Sequence, residues 1–94
     1  MMKLDKVKIG QVIISKYRDP QKMGLIGHIY LKIADTLYFH AARIKLDNTI
    51  KDMISGYSYR DNIFNNEIIE LGDLNLISEY KRREAMKYIL KEGI

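Results

Sequence analysis

The 94-residue chain is 47% apolar and 30% charged and holds no cysteine, which bounds it to one small globular domain and excludes a disulfide scaffold, a thiolate metal site and a cysteine nucleophile within the chain. Its net charge of +4 is scattered, with clusters only at residues 3–8 and 81–83, so a modest attraction to phosphate or to an acidic partner is the most that charge implies. The N-terminus, MMKLDKVKIG, lacks the apolar core of a secretory signal, and no apolar run approaches the roughly 18 residues of a membrane span. A cytoplasmic or virion-associated protein without membrane contact is expected.

Residues 11–16, QVIISK, form a β-branched run after Gly10 and read as a strand. Residues 17–24, YRDPQKMG, read as a loop with an Asp-Pro turn signal. Two alternating stretches follow. Ile29, Leu31 and Ile33 alternate with His28, Tyr30 and Lys32; Leu37, Phe39 and Ala41 alternate with Tyr38, His40 and Ala42. This period of two predicts a β-hairpin. A three-residue turn at Ala34, Asp35 and Thr36 would set Ile33 opposite Leu37, Leu31 opposite Phe39 and Ile29 opposite Ala41, keeping the apolar residues on one face. A two-residue turn would mix the faces, so burial favours the longer one. In that register Tyr30 faces His40 and His28 faces Ala42, which makes the two histidines diagonal neighbours roughly 7–8 Å apart.

Asp47 or Asn48 can cap a short helix carrying Ile50, Met53 and Ile54, ended by Gly56. Residues 57–66 read as a loop or ragged edge strand, residues 66–71 as a strand, and Gly72-Asp73 as a turn. Ser78 caps a last helix over residues 79–91, with Ile77, Tyr80, Ala85, Tyr88 and Ile89 as its apolar stripe. The fold class expected is α+β: one domain over residues 1–94, with a small antiparallel sheet of about four strands, a short helix and a C-terminal helix.

His28 and His40 are the only histidines, twelve positions apart. Three readings are open from the residues: two polar groups on a solvated face, a catalytic pair, or two metal ligands. A zinc site needs a third ligand, and Asp19, Asp35 and Glu67 bear no fixed spacing to the pair, so neither a metal nor another cofactor is expected. A serine nucleophile such as Ser15 or Ser58 is conceivable, but neither lies in a recognisable elbow or cap. Glu67 and Glu70, three apart on a strand, point to opposite faces, against an acid/base partnership. Tyr57, Tyr59 and Arg60, near Phe64, can stack on nucleic-acid bases, anchor a protein interface, or simply pack the sheet edge. Lys81, Arg82, Arg83 and Lys87 on the last helix form a solvated face or meet an acidic partner.

The motifs Gly10-Gln11-Val12-Ile13-Ile14, Gly27-His28-Ile29-Tyr30-Leu31 and Tyr38-Phe39-His40-Ala41 resemble the strand frame of NlpC-type papain-like peptidases over residues 9 to 71. The resemblance implies that His28 is the general base and His40 the residue that orients it. Tyr30 stands where that family has glycine, Gln11 where it has aspartate, and the nucleophilic cysteine is missing. Circularly permuted relatives carry the cysteine after a helix like EYKRREAMKYILKEG, so a permuted domain without its cysteine segment is implied. The expected function is a catalytically incomplete papain-like domain serving as a binding or regulatory module, encoded by a phage or other mobile element. Tyr30, Tyr57, Tyr59 and Arg60 are its expected binding residues, and a protein or peptide-like ligand, or a second copy, its expected partner. The alternatives are a fragment of an active cysteine peptidase or amidase, and a small basic nucleic-acid-binding domain.

Overall fold

A computed structural model describes residues 6–53, 56–63 and 68–92. Its centre is one antiparallel sheet of six strands: β1 (Val12–Asp19), β2 (Gly24–Ala34), β3 (Leu37–Ile44), β4 (Ile50–Asp52), β5 (Tyr57–Tyr59) and β6 (Ile68–Gly72). One helical turn, α1 (Arg60–Ile63), follows β5, and α2 (Glu79–Glu92) closes the chain after a 3-10 turn at Leu74–Leu76. The strand order is β4-β3-β2-β1-β6, with β5 also paired to β3. The class is therefore α+β, with six strands in place of four. Among the described residues no helix is long and apolar enough to cross a membrane.

The β2–β3 hairpin corrects the expected turn and shows what fixes its register. The turn holds only Asp35 and Thr36, because Ala34 pairs with Leu37. Left alone, this shorter turn would mix apolar and polar residues on both faces. A bulge at Ile33 removes the mismatch, so Leu31 meets Phe39 and Tyr30 meets His40, the pairs that burial demands. A second bulge, at Ala41 on β3, shifts the pairing again: Ile29 meets Ala42, and His28 meets Arg43 rather than Ala42. Bulges bend and twist a strand locally and re-aim its side chains.

The helix expected from Asp47 is absent, and β4 takes its place. Asp47 Oδ1 accepts hydrogen bonds from the Thr49 backbone N–H (3.0 Å) and hydroxyl (2.6 Å). Asn48 adopts a left-handed φ of 67°. A side chain that bonds to its own turn competes with helix formation, and asparagine tolerates that φ better than most residues. Residues 45–49 thus close a hairpin, with Lys45 N–H bonded to the Thr49 carbonyl at 2.9 Å. Ile54 lies outside the described residues. β1 also runs three residues past its expected end, and Asp19 caps the following turn by accepting from the Gln21 N–H at 2.9 Å.

The sheet is buried on both faces. One face packs Ile29, Leu31, Phe39 and Ala42 against Ile77, just before α2, and against Ala85, Tyr88 and Ile89 of α2. Tyr80, expected in that stripe, is exposed, and Lys81 is buried instead. The other face, expected to be solvated, holds a second core of Ile13, Tyr30, Tyr38 and Ile69 under Val7 and Ile63. Lys32 is buried there too, its Nζ donating to the Val7 carbonyl at 2.8 Å. Tyr38 is fully buried, yet its hydroxyl makes no hydrogen bond with a described residue. An orphaned buried hydroxyl costs on the order of 1–3 kcal/mol. Tyr38→Phe should therefore leave stability unchanged or raise it by about 1 kcal/mol, read from the urea midpoint; a loss greater than this would mean the hydroxyl has a partner.

Candidate functional site

His28 on β2 and His40 on β3 point to the second-core face, and their rings touch. His28 Nδ1 and His40 Nε2 are 2.9 Å apart, with centroids 4.7 Å apart and planes at 66°. Two backbone features produce this contact. Gly27, just before His28, lets β2 approach β1 closely: a Cβ there would stand 2.9 Å from the Ser15 carbonyl oxygen. The Ala41 bulge, just after His40, interrupts the outer edge of β3 between β4 and β5. There the His40 N–H bonds to the Gly56 carbonyl at 2.9 Å.

Tyrosines flank the pair. Tyr17 stacks on His28 at 5.7 Å and 17°, and Tyr30 stacks on His40 at 4.8 Å and 28°. The Tyr30 hydroxyl hydrogen-bonds the Ser58 side chain, and burial holds its pKa above the usual value. Both imidazoles are half-buried. Burial, then the neighbouring His40 and Arg43, lowers the His28 pKa from 6.5 to about 4. His40 is also lowered, first by burial; a backbone hydrogen bond at Ala42 opposes this, and Arg43 and Lys81 add to it. Near neutral pH both rings are uncharged.

The tautomers follow from this network rather than from observed hydrogens. The Ala42 bond favours protonated His40, so a ring N–H donates to a carbonyl there. Since Nε2 faces His28, the donor is Nδ1. A neutral His40 then has a bare Nε2, which accepts from His28 Nδ1–H. His28 is left with a bare Nε2, a lone pair free of the contact between the rings. The chain Ala42 carbonyl, His40, His28 thus orients one imidazole lone pair, as a base–orienter pair requires.

The other candidates separate from this centre. Ser15, opposite His28 in the β1–β2 register, is fully buried and has an interaction of its own; Ser58 is held by Tyr30. Among the described residues no three His, Asp or Glu side chains converge as metal ligands; Glu67 and Phe64 lie outside them. Tyr57 and Tyr59 are 54% and 59% exposed. They pair with Phe39 and Leu37 and so lie on the α2 face, opposite the histidines, where Tyr57 meets the edge of Tyr88 at 6.1 Å. Arg60 opens α1 and acts electrostatically on the Tyr38 hydroxyl. Two of the α2 cations have internal partners: Lys81 bonds Glu84 at 3.4 Å and Arg83 bonds Glu79 at 2.7 Å. Sequence reasoning missed Tyr17, Ser58 as the Tyr30 partner, and Arg43. Tyr17 had a signal, since Ile13, Ser15 and Tyr17 continue one alternating face beyond the point where the strand was expected to stop. Compared with protein-family models, with curated proteins and with solved structures, the chain matches none.

Proposed function

We propose that this chain is a papain-like domain, similar to the NlpC type, that keeps an oriented histidine base without the cysteine it would activate. It acts as a binding or regulatory module for a peptide-like ligand or a protein partner, in the cytoplasm or in a virion. The observation that supports this reading is the 2.9 Å contact between His28 and His40 on adjoining strands, in a chain with no cysteine. His28 Nε2 can accept a hydrogen bond from a ligand N–H or O–H, and the stacked Tyr17 and Tyr30 rings offer apolar contact beside it. With no thiolate, the pair holds a ligand and does not acylate.

The test is a titration of the isotopically labelled protein with a mixture of short peptides, followed by NMR. Saturable shifts at His28, His40 and Tyr30, lost in His28→Ala, are expected, with every peptide recovered intact. Peptide hydrolysis by the purified chain, or shifts indifferent to His28→Ala, would overturn the reading. The bare Nε2 of His28 favours one second reading, in which a cysteine outside these 94 residues uses this base. A cysteine encoded downstream in the same frame, and hydrolysis by the longer product, would favour it.

A further inference from the structure

Next to the histidine pair, the same face opens into a concavity of about 460 Å³. Its cations arrive from separate elements: Lys22 from the β1–β2 turn, Arg43 from β3, Lys45 from the β3–β4 turn and Lys51 from β4. The register places His28 opposite Arg43, and Arg43 opposite Lys51. Like charges directly opposite on paired strands are destabilising, and none of these four cations makes an ion pair with a described residue. Asp47 also lines the concavity, but its Oδ1 is committed to Thr49; it feels the charge of Lys45 without pairing to it. Ile26 and Leu46 supply apolar walls. Leu46 lies against Gly24, where a Cβ would stand 2.6 Å from its Cδ2, so that wall is seated on β2.

We propose that this concavity is a binding site for a small organic phosphate, with the phosphate among Arg43, Lys45, Lys51 and Lys22 and the organic body against Ile26 and Leu46. A compact dianion reaches several converging cations at once and offsets the repulsion between Arg43 and Lys51. An acidic peptide, with its carboxylates spread along a chain, needs an extended groove instead. A half-buried arginine among lysines suits a phosphate's planar pairs of oxygens better than lysines alone. The site stands apart from the papain-like reading, because none of its four cations belongs to the histidine pair.

Phenyl phosphate, inorganic phosphate and hexaglutamate, each titrated into the labelled full chain at about 0.15 M salt, where exposed charges are well screened, give the test. Phenyl phosphate should shift residues 22, 26, 43, 45 and 51 saturably and the neighbouring His28 ring with them, binding several-fold more tightly than inorganic phosphate. The doubly reversed variant Lys45→Glu/Lys51→Glu, altered only at exposed positions, should weaken it on the order of tenfold or more, with an otherwise native spectrum. Arg43→Gln should weaken it as well, which guards against a folding artefact in the double variant. The proposal is overturned by unchanged affinity in these variants, by absence of saturation, by equal shifts along residues 81–87 of α2, or by hexaglutamate binding as tightly.

Discussion

Acidification from pH 7 to pH 4 should destabilise the protein through the histidine pair by about 1–2 kcal/mol. The sign follows from the direction of the shifts. His28 is lowered from 6.5 to about 4, and His40 is lowered as well. Between these pH values the unfolded chain binds more protons than the folded one, so the stability owed to neutral rings is complete above pH 6.5 and is lost as the pH falls toward 4. A shift of this size corresponds in full to roughly 3 kcal/mol; the rings are only half-buried, and solvent screening cuts it to about half. The loss should come in two steps. A first proton, on His40, leaves the rings joined by one N–H···N bond in which His28 Nδ1 accepts, and its charge lowers His28 further. A second proton, on His28, sets N–H against N–H and breaks the contact. Urea midpoints measured from pH 7 to pH 4 should therefore fall less steeply in a His28→Gln/His40→Gln double variant, the carboxylates common to both proteins cancelling in the difference. Rings that both titrate near 6.5 by NMR, with parallel stability profiles, would refute the coupling.

The hairpin that carries this pair was legible because two-residue periodicity is strong when one face must be buried. The pairs Leu31–Phe39 and Tyr30–His40 came directly from it. What periodicity could not show was the route to them. A short turn corrected by a bulge gives the same central register as a longer turn without one, and no residue type marks Ile33 or Ala41 as the bulged position. Residues 47–56 misled for a different reason. Asp47 and Asn48 are good helix caps and equally good turn residues, and apolar spacing at Ile50 and Met53 fits either outcome. The deciding contact is Asp47 with Thr49, which a cap-and-stripe argument does not weigh.

The second face was misjudged because His28, Tyr30, Lys32 and Tyr38 all carry polar atoms. Their bulk is still largely apolar or aliphatic, and Val7 and Ile63, distant in sequence, cover it. Proximity of the histidines followed from register alone, whereas their tautomers needed the Ala42 hydrogen bond, a tertiary detail. Lys22, Lys45 and Lys51 looked like scattered surface charge for the same reason. Only the β1–β2 and β3–β4 turns, set beside Arg43, bring them to one concavity.

Two-sided burial also predicts where the largest mutational effect lies. Phe39 is fully buried at the centre of β3, opposite Leu31 on one neighbour and Tyr57 on the other, with the Tyr88 ring of α2 at 5.6 Å. Phe39→Ala empties the contact between sheet and helix and should cost about 3–5 kcal/mol. For 94 residues a total stability of roughly 5–14 kcal/mol is expected, so much of it would go, and α2 amides should exchange faster than those of β1. Ile69→Ala removes a smaller side chain from the opposite core; its cost of about 2–5 kcal/mol should leave α2 protection unchanged relative to the sheet. The residue after Phe39 is His40, facing the other way, so the His28 and His40 resonances should survive in whatever fraction of Phe39→Ala stays folded. A loss below about 1 kcal/mol would show that α2 does not seal this face. Loss of the histidine contact in the folded fraction would show instead that the two cores respond as one.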